Sequence, residues 1–242
     1  VSYIFRTDWY SIRRMNSRPA PVADAPAESR VSGPGRPKDL AKRAAILEAA
    51  ERMFLQQGYE GVSMDQIAAE AGVSKLTVYS HFGDKDTLFT EAAAAYCEQQ
   101  MPASVFEPAP ATPIHQRLIE VAEAFFTMVG SPEAIAGHRL LCTPQMVEKR
   151  LPQRFWKSGP ERVQASFAAL LRRRIETGDL DIDDADVDTA AAQFFVLLKG
   201  DLHQRMVFDC DGAGDCAAQR RAHLEASVTM FLRAYGRDRS GR

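Results

Sequence analysis

The sequence lacks any long apolar run. Nothing in its 242 residues approaches the ~20 apolar residues in a row that a bilayer-spanning helix requires, so no membrane partner is expected. It also lacks strong charge of either sign, with 30 Lys and Arg against 32 Asp and Glu and a formal net charge of −2. Coating nucleic acid by bulk charge is excluded, and any DNA contact must rest on a local patch of preset geometry. Cysteine is scarce. Cys97, Cys142, Cys210 and Cys216 show no Cys-x-x-Cys pair and no zinc spacing. With no secretory signal read ahead of the first helix, reduced thiols in a bacterial-type cytoplasm are expected. Cys97 and Cys142 read as small core residues on helices. Cys210 and Cys216 read as incidental loop thiols, with a redox pair as the alternative.

Catalytic constellations are missing too. The histidines are His81, His115, His138, His203 and His223, and no Ser/His/Asp set, metal-ligand spacing or Gly-rich phosphate loop can be assembled around them. The acidic run Asp179, Asp181, Asp183, Asp184, Asp186 and Asp188 lacks the spacing of a calcium loop. It reads as a loop leading into a helix N-terminus, where carboxylates meet the positive end of the dipole. No enzyme, no cofactor and no metal are expected. Strand-like alternation and internal repeats are also absent.

What is present is a dense set of helix signals between residues 63 and 90. Ser63 with Gln66 three residues later makes a capping box. Ile67 and Ala68 are the inward residues of the helix it opens. Gly72 supplies the freedom for a sharp turn. Ser74 caps the next helix, in which Leu76 and Val78 are expected to pack back. Lys75, Thr77, Tyr79, Ser80 and His81 then form an outward row, donor-rich with one fixed charge, suited to phosphates and base edges in a major groove. The segment is not basic overall: residues 36–90 hold seven Lys and Arg against eight Asp and Glu. That argues against tight nonspecific binding and leaves room for a dimer that doubles a few placed contacts.

The pieces Ile67-Ala68, Ala71-Gly72-Val73-Ser74, Thr77-Val78-Tyr79, His81-Phe82 and Lys85 followed by Leu88 resemble the TetR family of transcriptional regulators. The run Tyr79-x-His81-Phe82-x-x-Lys85 is the specific part, and the resemblance is strongest over residues 39–100. The segment from Phe155-Trp156 through Gly178-Asp179-Leu180 to Lys199-Gly200 is similar to AefR-like members of that family. The resemblance implies an all-α fold: a three-helix, helix-turn-helix DNA-binding head, then a helical bundle for ligand binding and dimerisation. It implies DNA contacts from Arg36, Lys38, Ser63, Ser74, Lys75, Thr77, Tyr79, Ser80, His81 and Lys85.

Periodicity and breakers divide the chain accordingly. Residues 1–35, with four prolines and an excess of Arg, read as an arm without a core; a misplaced start, with Met15 as initiator, is the alternative. The head is expected over 36–83 and a connecting helix over 84–101. A Pro-rich linker follows over 102–113, then a regulatory and dimerisation body over 114–236 and a tail over 237–242. Within them, helices are expected over 39–57, 64–71, 75–81, 84–100, 114–129, 132–142, 144–157, 160–177, 185–208 and 216–235. Ile46, Leu47, Ala50, Met53 and Phe54 form the inward stripe of the first.

The body is rich in Phe, Met and Trp. For any one of these, ordinary core is the simpler reading. The resemblance implies a pocket for a small apolar or aromatic effector, with Phe125, Phe126, Met128, His138, Cys142, Met146, Phe155, Trp156, Phe167, Gln193 and Phe194 as candidates. Arg139 and Gln145 are further polar residues of interest. Helices 160–177 and 185–206 are the expected dimer elements, with Phe167, Leu170, Leu171, Arg174, Phe195, Leu198 and Leu202 at the interface. The resulting expectation is a homodimeric repressor that binds a palindromic operator on the nucleoid and releases it when an effector binds. An activator of the same fold is the alternative, as is a ligand-binding protein or enzyme with a vestigial helix-turn-helix.

Overall fold

Pro37 sets where the first helix begins. It lacks the N–H that a helix leaves unpaired in its first turn anyway, so α1 (Arg36–Gln57) starts ahead of the expected residue 39. Ile46, Ala49, Ala50, Met53 and Phe54 recur at helical spacing and are all buried, while Leu47, expected on this stripe, is half-buried. Gly58, at φ 73°, ends the helix in a conformation that disfavours other residues. The computed structural model describes residues 36–107, 111–210 and 217–237. The arm over 1–35, Cys216 and most of the tail lie outside them.

Three more helices pack against α1: α2 (Met64–Glu70), α3 (Lys75–Phe82) and the connecting helix α4 (Lys85–Gln100). Ile67, Val78 and Leu88 are fully buried against the α1 stripe, each contributing roughly 1.5–3 kcal/mol of burial. Phe54, Tyr59 and Phe89 meet edge-on or stacked, with ring centroids 5.2 to 5.9 Å apart.

The Pro-rich stretch after α4 is strapped down where it is described. A 3-10 turn, Ala103–Phe106, buries Phe106 in the body core. The buried Arg117 donates to the carbonyls of Val105 and Glu107 at 2.7 and 2.8 Å, and Arg174 donates to that of Thr112 at 3.0 Å.

Seven helices follow: α5 (Ile114–Val129), α6 (Pro132–Leu141), α7 (Pro144–Glu148), α8 (Leu151–Ser158), α9 (Pro160–Glu176), α10 (Val187–Val207) and α11 (Ala217–Tyr235). The single helix expected over 144–157 is two. Arg150 is left-handed at φ 57°, and Pro152 sits in the first turn of α8, where it needs no N–H. α10 bends at Gly200, which has φ 45° and ψ −152°. The carbonyls just before the bend are taken by α11: Ser227 Oγ donates to that of Leu197 at 3.2 Å, and His223 Nε2 lies 2.8 Å from that of Leu198.

The body core is aromatic. Phe167 stacks on Phe194 with centroids 4.6 Å apart, Phe125 lies 4.5 Å from Phe195, and Phe231 lies 5.0 Å from Phe194. Two body residues belong to the other core. Met146 of α7 and Leu151 of α8 are buried in the head cluster with Phe54, Tyr59 and Phe89. Arg154 adds a 2.8 Å hydrogen bond to Thr87 on α4. The head core is therefore closed by the α7–α8 segment and not by the head alone. Among the described residues no helix is long and apolar enough to cross a membrane.

Candidate nucleic-acid interface

The α2–turn–α3 unit is held by local hydrogen bonds. Ser63 Oγ accepts the Gln66 N–H at 3.2 Å, and Gln66 Oε1 accepts the Ser63 N–H at 2.8 Å, a complete capping box. Gly72 takes φ 66° in the turn, and the Val73 N–H returns to the Ala68 carbonyl at 3.0 Å. Ser74 caps α3 by accepting the Thr77 N–H at 3.2 Å, and its hydroxyl lies 2.8 Å from Thr77 Oγ1. Ser80 Oγ donates to the Thr77 carbonyl. These contacts fix the start and pitch of α3 before any partner arrives.

Val78 and Phe82 are the inward face of α3, at 0% and 3% exposure. On the outward side stand Lys75, Leu76, Tyr79 and Ser80, with Thr77 half-buried between them. Leu76 corrects the expectation that it packs back, since it is 78% exposed. Residues two apart on a helix lie on opposite sides, so Leu76 cannot share a face with Val78. His81 corrects the outward row in the other direction. It lies three residues from Val78, its side chain is only 12% exposed, and its Nε2 sits 3.0 Å from Asp39 on α1. An apolar side chain thus replaces an imidazole on the open face.

Lys75 is paired within the unit, 2.8 Å from Asp65 on α2, with its ammonium 5.8 Å from the centre of the Tyr79 ring. The hydrogen bond to Asp65 raises its pKa and keeps it charged. Such an exposed pair opens readily towards a competing anion. Lys85, another expected DNA contact, is turned towards an aromatic ring. Its ammonium lies 4.1 Å above the Tyr59 ring, burial lowers its pKa, and Lys149 approaches the same ring at 4.6 Å. The α4 terminus is already capped by Asp84, whose carboxylate accepts the Thr87 N–H at 2.6 Å and is held below the usual carboxylate range by that bond. Arg43 is drawn to Glu91 and to the Phe82 ring, and Arg52 to Glu70. Arg36 and Lys38 fall in the first turn of α1, with side chains outside the described part.

The expected effector residues divide into separate places. Phe125, Phe126, Met128, Phe167 and Phe194 lie in the body core, where the rings pack on one another. Met146 is in the head core, which removes it from a body pocket. Cys142, expected in the core, is exposed at the C-cap of α6. Trp156 is 48% exposed and Phe155 half-buried, both on α8. Gln193 is exposed and accepts a hydrogen bond from Tyr235 at 3.0 Å. The space beside Cys97 is about 80 Å³, room for a few waters only, and burial pushes that thiol up to about 11.

The expected dimer residues are also corrected. Phe167, Leu170, Leu171, Arg174, Phe195, Leu198 and Leu202 are each no more than 6% exposed within a single chain. Its own core has already consumed them. The large apolar side chains left open on the body are Val147, Trp156, Val196, Phe208 and Met230, three of them on or at the end of α10 and α11. Periodicity could have separated Leu76 from Val78. No local signal marks which apolar face of α10 a neighbouring helix will cover.

A capped helix that presents Lys75, Leu76, Tyr79 and Ser80 beyond a glycine turn, on an all-α chain, defines a helix-turn-helix DNA-binding protein. Comparison with known proteins agrees. Residues 46–92 match the family described as bacterial regulatory proteins, tetR family, and residues 116–237 match the AefR-like transcriptional repressor, C-terminal domain. The HTH-type transcriptional regulator YdeS of Bacillus subtilis is 27% identical over 184 residues, 75% of this chain and 86% of that protein. A TetR-family regulator from Mesorhizobium loti superposes with a TM-score of 0.72 at 29% identity, covering 84% of this chain and all of that one. The flavonoid-responsive regulator FrrA superposes with a TM-score of 0.63 at 28% identity, over 81% of this chain and 97% of that one. The chain belongs to the TetR family of bacterial transcriptional regulators, which bind DNA and are not enzymes.

Proposed function

We propose that the chain is an effector-released repressor acting as a homodimer on a palindromic operator in the cytoplasm. The observation that carries this reading is the outward face of α3, where Leu76 and Tyr79 stand 78% and 41% exposed beside Lys75 and Ser80. Leaving two such side chains exposed on a protein surface serves no folding purpose once Val78 and Phe82 have filled the core. In a major groove, Leu76 offers apolar contact to a thymine methyl and Tyr79 and Ser80 offer hydrogen bonds to base edges or phosphates. Lys75, freed from Asp65, supplies the charge.

Two copies would pair through α10 and α11, where Val196 and Met230 are 64% and 59% exposed, and present two reading helices about 34 Å apart. Head, connecting helix and body would divide near residues 83, 101 and 114. The AefR-like match over the body favours repression, and FrrA, named for its response to flavonoids, favours control by a small molecule. An effector that moves the body would reach the head through Met146, Leu151 and Arg154, which close the head core and tie down α4. Selecting bound fragments from random duplex DNA tests the reading. A symmetric pair of half-sites about one helical turn apart is expected; enrichment of a single asymmetric site, or of none, overturns it.

A further inference from the structure

A pocket of about 540 Å³ opens between α6 and α10 beside the Gly200 bend. Its apolar wall is Val196, Val207 and Phe208; its polar wall is His138, Lys199, His203 and the neutral Gln204. The two imidazole rings meet edge to face with centroids 5.7 Å apart. The feature that gives the site a ligand chemistry is its one-sided charge. Three groups able to carry positive charge line it, and no carboxylate lines it among the described residues. Lys199 has no ion-pair partner among the described residues, although its charge is half-withdrawn from water.

Other groups nearby do not answer this charge. Arg139 of α6 is spent on the carbonyls of Met206 and Val207, at 2.9 and 2.6 Å, with Asp209 3.7 Å away. His223 of α11 is engaged with the Leu198 carbonyl, and His203 is hydrogen-bonded to the Val129 backbone at the end of α5. His203 is buried, Lys199 half-buried and His138 exposed at the rim; gathering three such groups at a partly desolvated site without an anion is unfavourable. The protein meets that cost by lowering the pKa of each through desolvation, with Lys199 adding repulsion at both imidazoles. An anion placed among them would restore the charges and gain their attraction.

We infer that this pocket binds a small organic anion, a carboxylate or phenolate carried on an apolar body, with Lys199, His138 and His203 holding the charge and Val196, Val207 and Phe208 covering the rest. The volume exceeds that of an inorganic ion and matches small-ligand sites. Val196 and Phe208 are open in the single chain, so a paired second copy would close the pocket's outer side. The proposal rests on the effector reading only for its regulatory consequence; binding itself can be measured without DNA.

The test uses the full chain and two probes of the same shape, 2-naphthoate and neutral 2-naphthamide, by isothermal titration calorimetry. Naphthoate is expected to bind at least tenfold more tightly than naphthamide, and Lys199→Met to bring the two within about threefold. Naphthoate affinity is expected to rise as the pH falls from 8 to 6, with proton uptake in buffers of differing ionisation enthalpy; this readout needs no variant. Equal affinity for the two probes, no binding of naphthoate at millimolar concentration, or binding without proton uptake would each overturn the assignment. If naphthoate fails while a selected operator is still bound, the ligand class falls and the DNA-binding reading stands. If naphthoate binds and no operator is found, the reverse holds.

Discussion

Adding one methyl group at the bend of α10, as Gly200→Ala, is predicted to destabilise the fold by about 1.5–4.5 kcal/mol. The first contribution is backbone. At φ 45° and ψ −152° an L-residue is strained, costing roughly 1–3 kcal/mol. The second is steric. The new Cβ would lie 2.7 Å from His223 Cε1 and 3.3 Å from its Nε2, so the imidazole must move. Moving it disrupts the 2.8 Å contact with the Leu198 carbonyl, worth about 0.5–1.5 kcal/mol. For a chain of this size the sum converts to a melting temperature lower by roughly 3–18 °C. Thermal melts by circular dichroism, at one protein concentration because pairing would shift the midpoint, measure this directly. Gly137→Ala is the matched control. Gly137 sits inside α6, has no positive φ, and a Cβ there would meet nothing within 4 Å. It should gain about 0.5–1 kcal/mol from helix propensity. Two substitutions of identical chemistry are thus predicted to have opposite signs. A Gly200→Ala protein that melts with the wild type would refute the account of the bend.

Leu151→Ala removes a fully buried side chain of α8 from the head core. It should cost about 2–5 kcal/mol in urea unfolding and weaken DNA binding, although Leu151 is far along the chain from α3; unchanged stability would show that α8 does not close that core. His203 gives a pH test. The unfolded chain takes up a proton near the ordinary histidine value, while burial keeps the folded-state imidazole neutral down to about 4. Stability should therefore fall as pH drops from about 6.5 to 4, by roughly 2–3 kcal/mol in all. His203→Gln cannot take up that proton, so its stability should fall less steeply over this window; parallel curves would contradict the assignment.

The features written in short-range sequence were the readable ones. Ser63 with Gln66, Gly72, and Ser74 each act within four residues, and the structure has all three as caps or turn. The face of a helix is also a local property: Leu76, two positions from the inward Val78, belongs to the open side. His81 is different, because its partner Asp39 is brought by α1 from 42 positions upstream. The same holds for Met146 and Leu151, whose apolar spacing announces a buried face without saying which core receives it. The residues expected at a dimer interface are covered within one chain for the complementary reason. α9 and α10 do carry apolar faces, but Phe167, Phe194 and Phe195 spend them on each other, and only accessibility in the folded chain reveals Val196 and Met230 as the surplus. The cluster of Lys199, His138 and His203 joins α10 to α6 across a helix bend that a lone glycine in a helical pattern does not announce.

The most direct measurement is the affinity of the Tyr79→Ala protein for a duplex selected by the wild type, read by fluorescence anisotropy. Tyr79 is 41% exposed and its hydroxyl holds no partner in the fold among the described residues, so its removal should leave the melting temperature and sedimentation of the protein unchanged. The outward face of α3 as the reading surface requires the variant to bind at least tenfold more weakly; affinity equal to the wild type would contradict it.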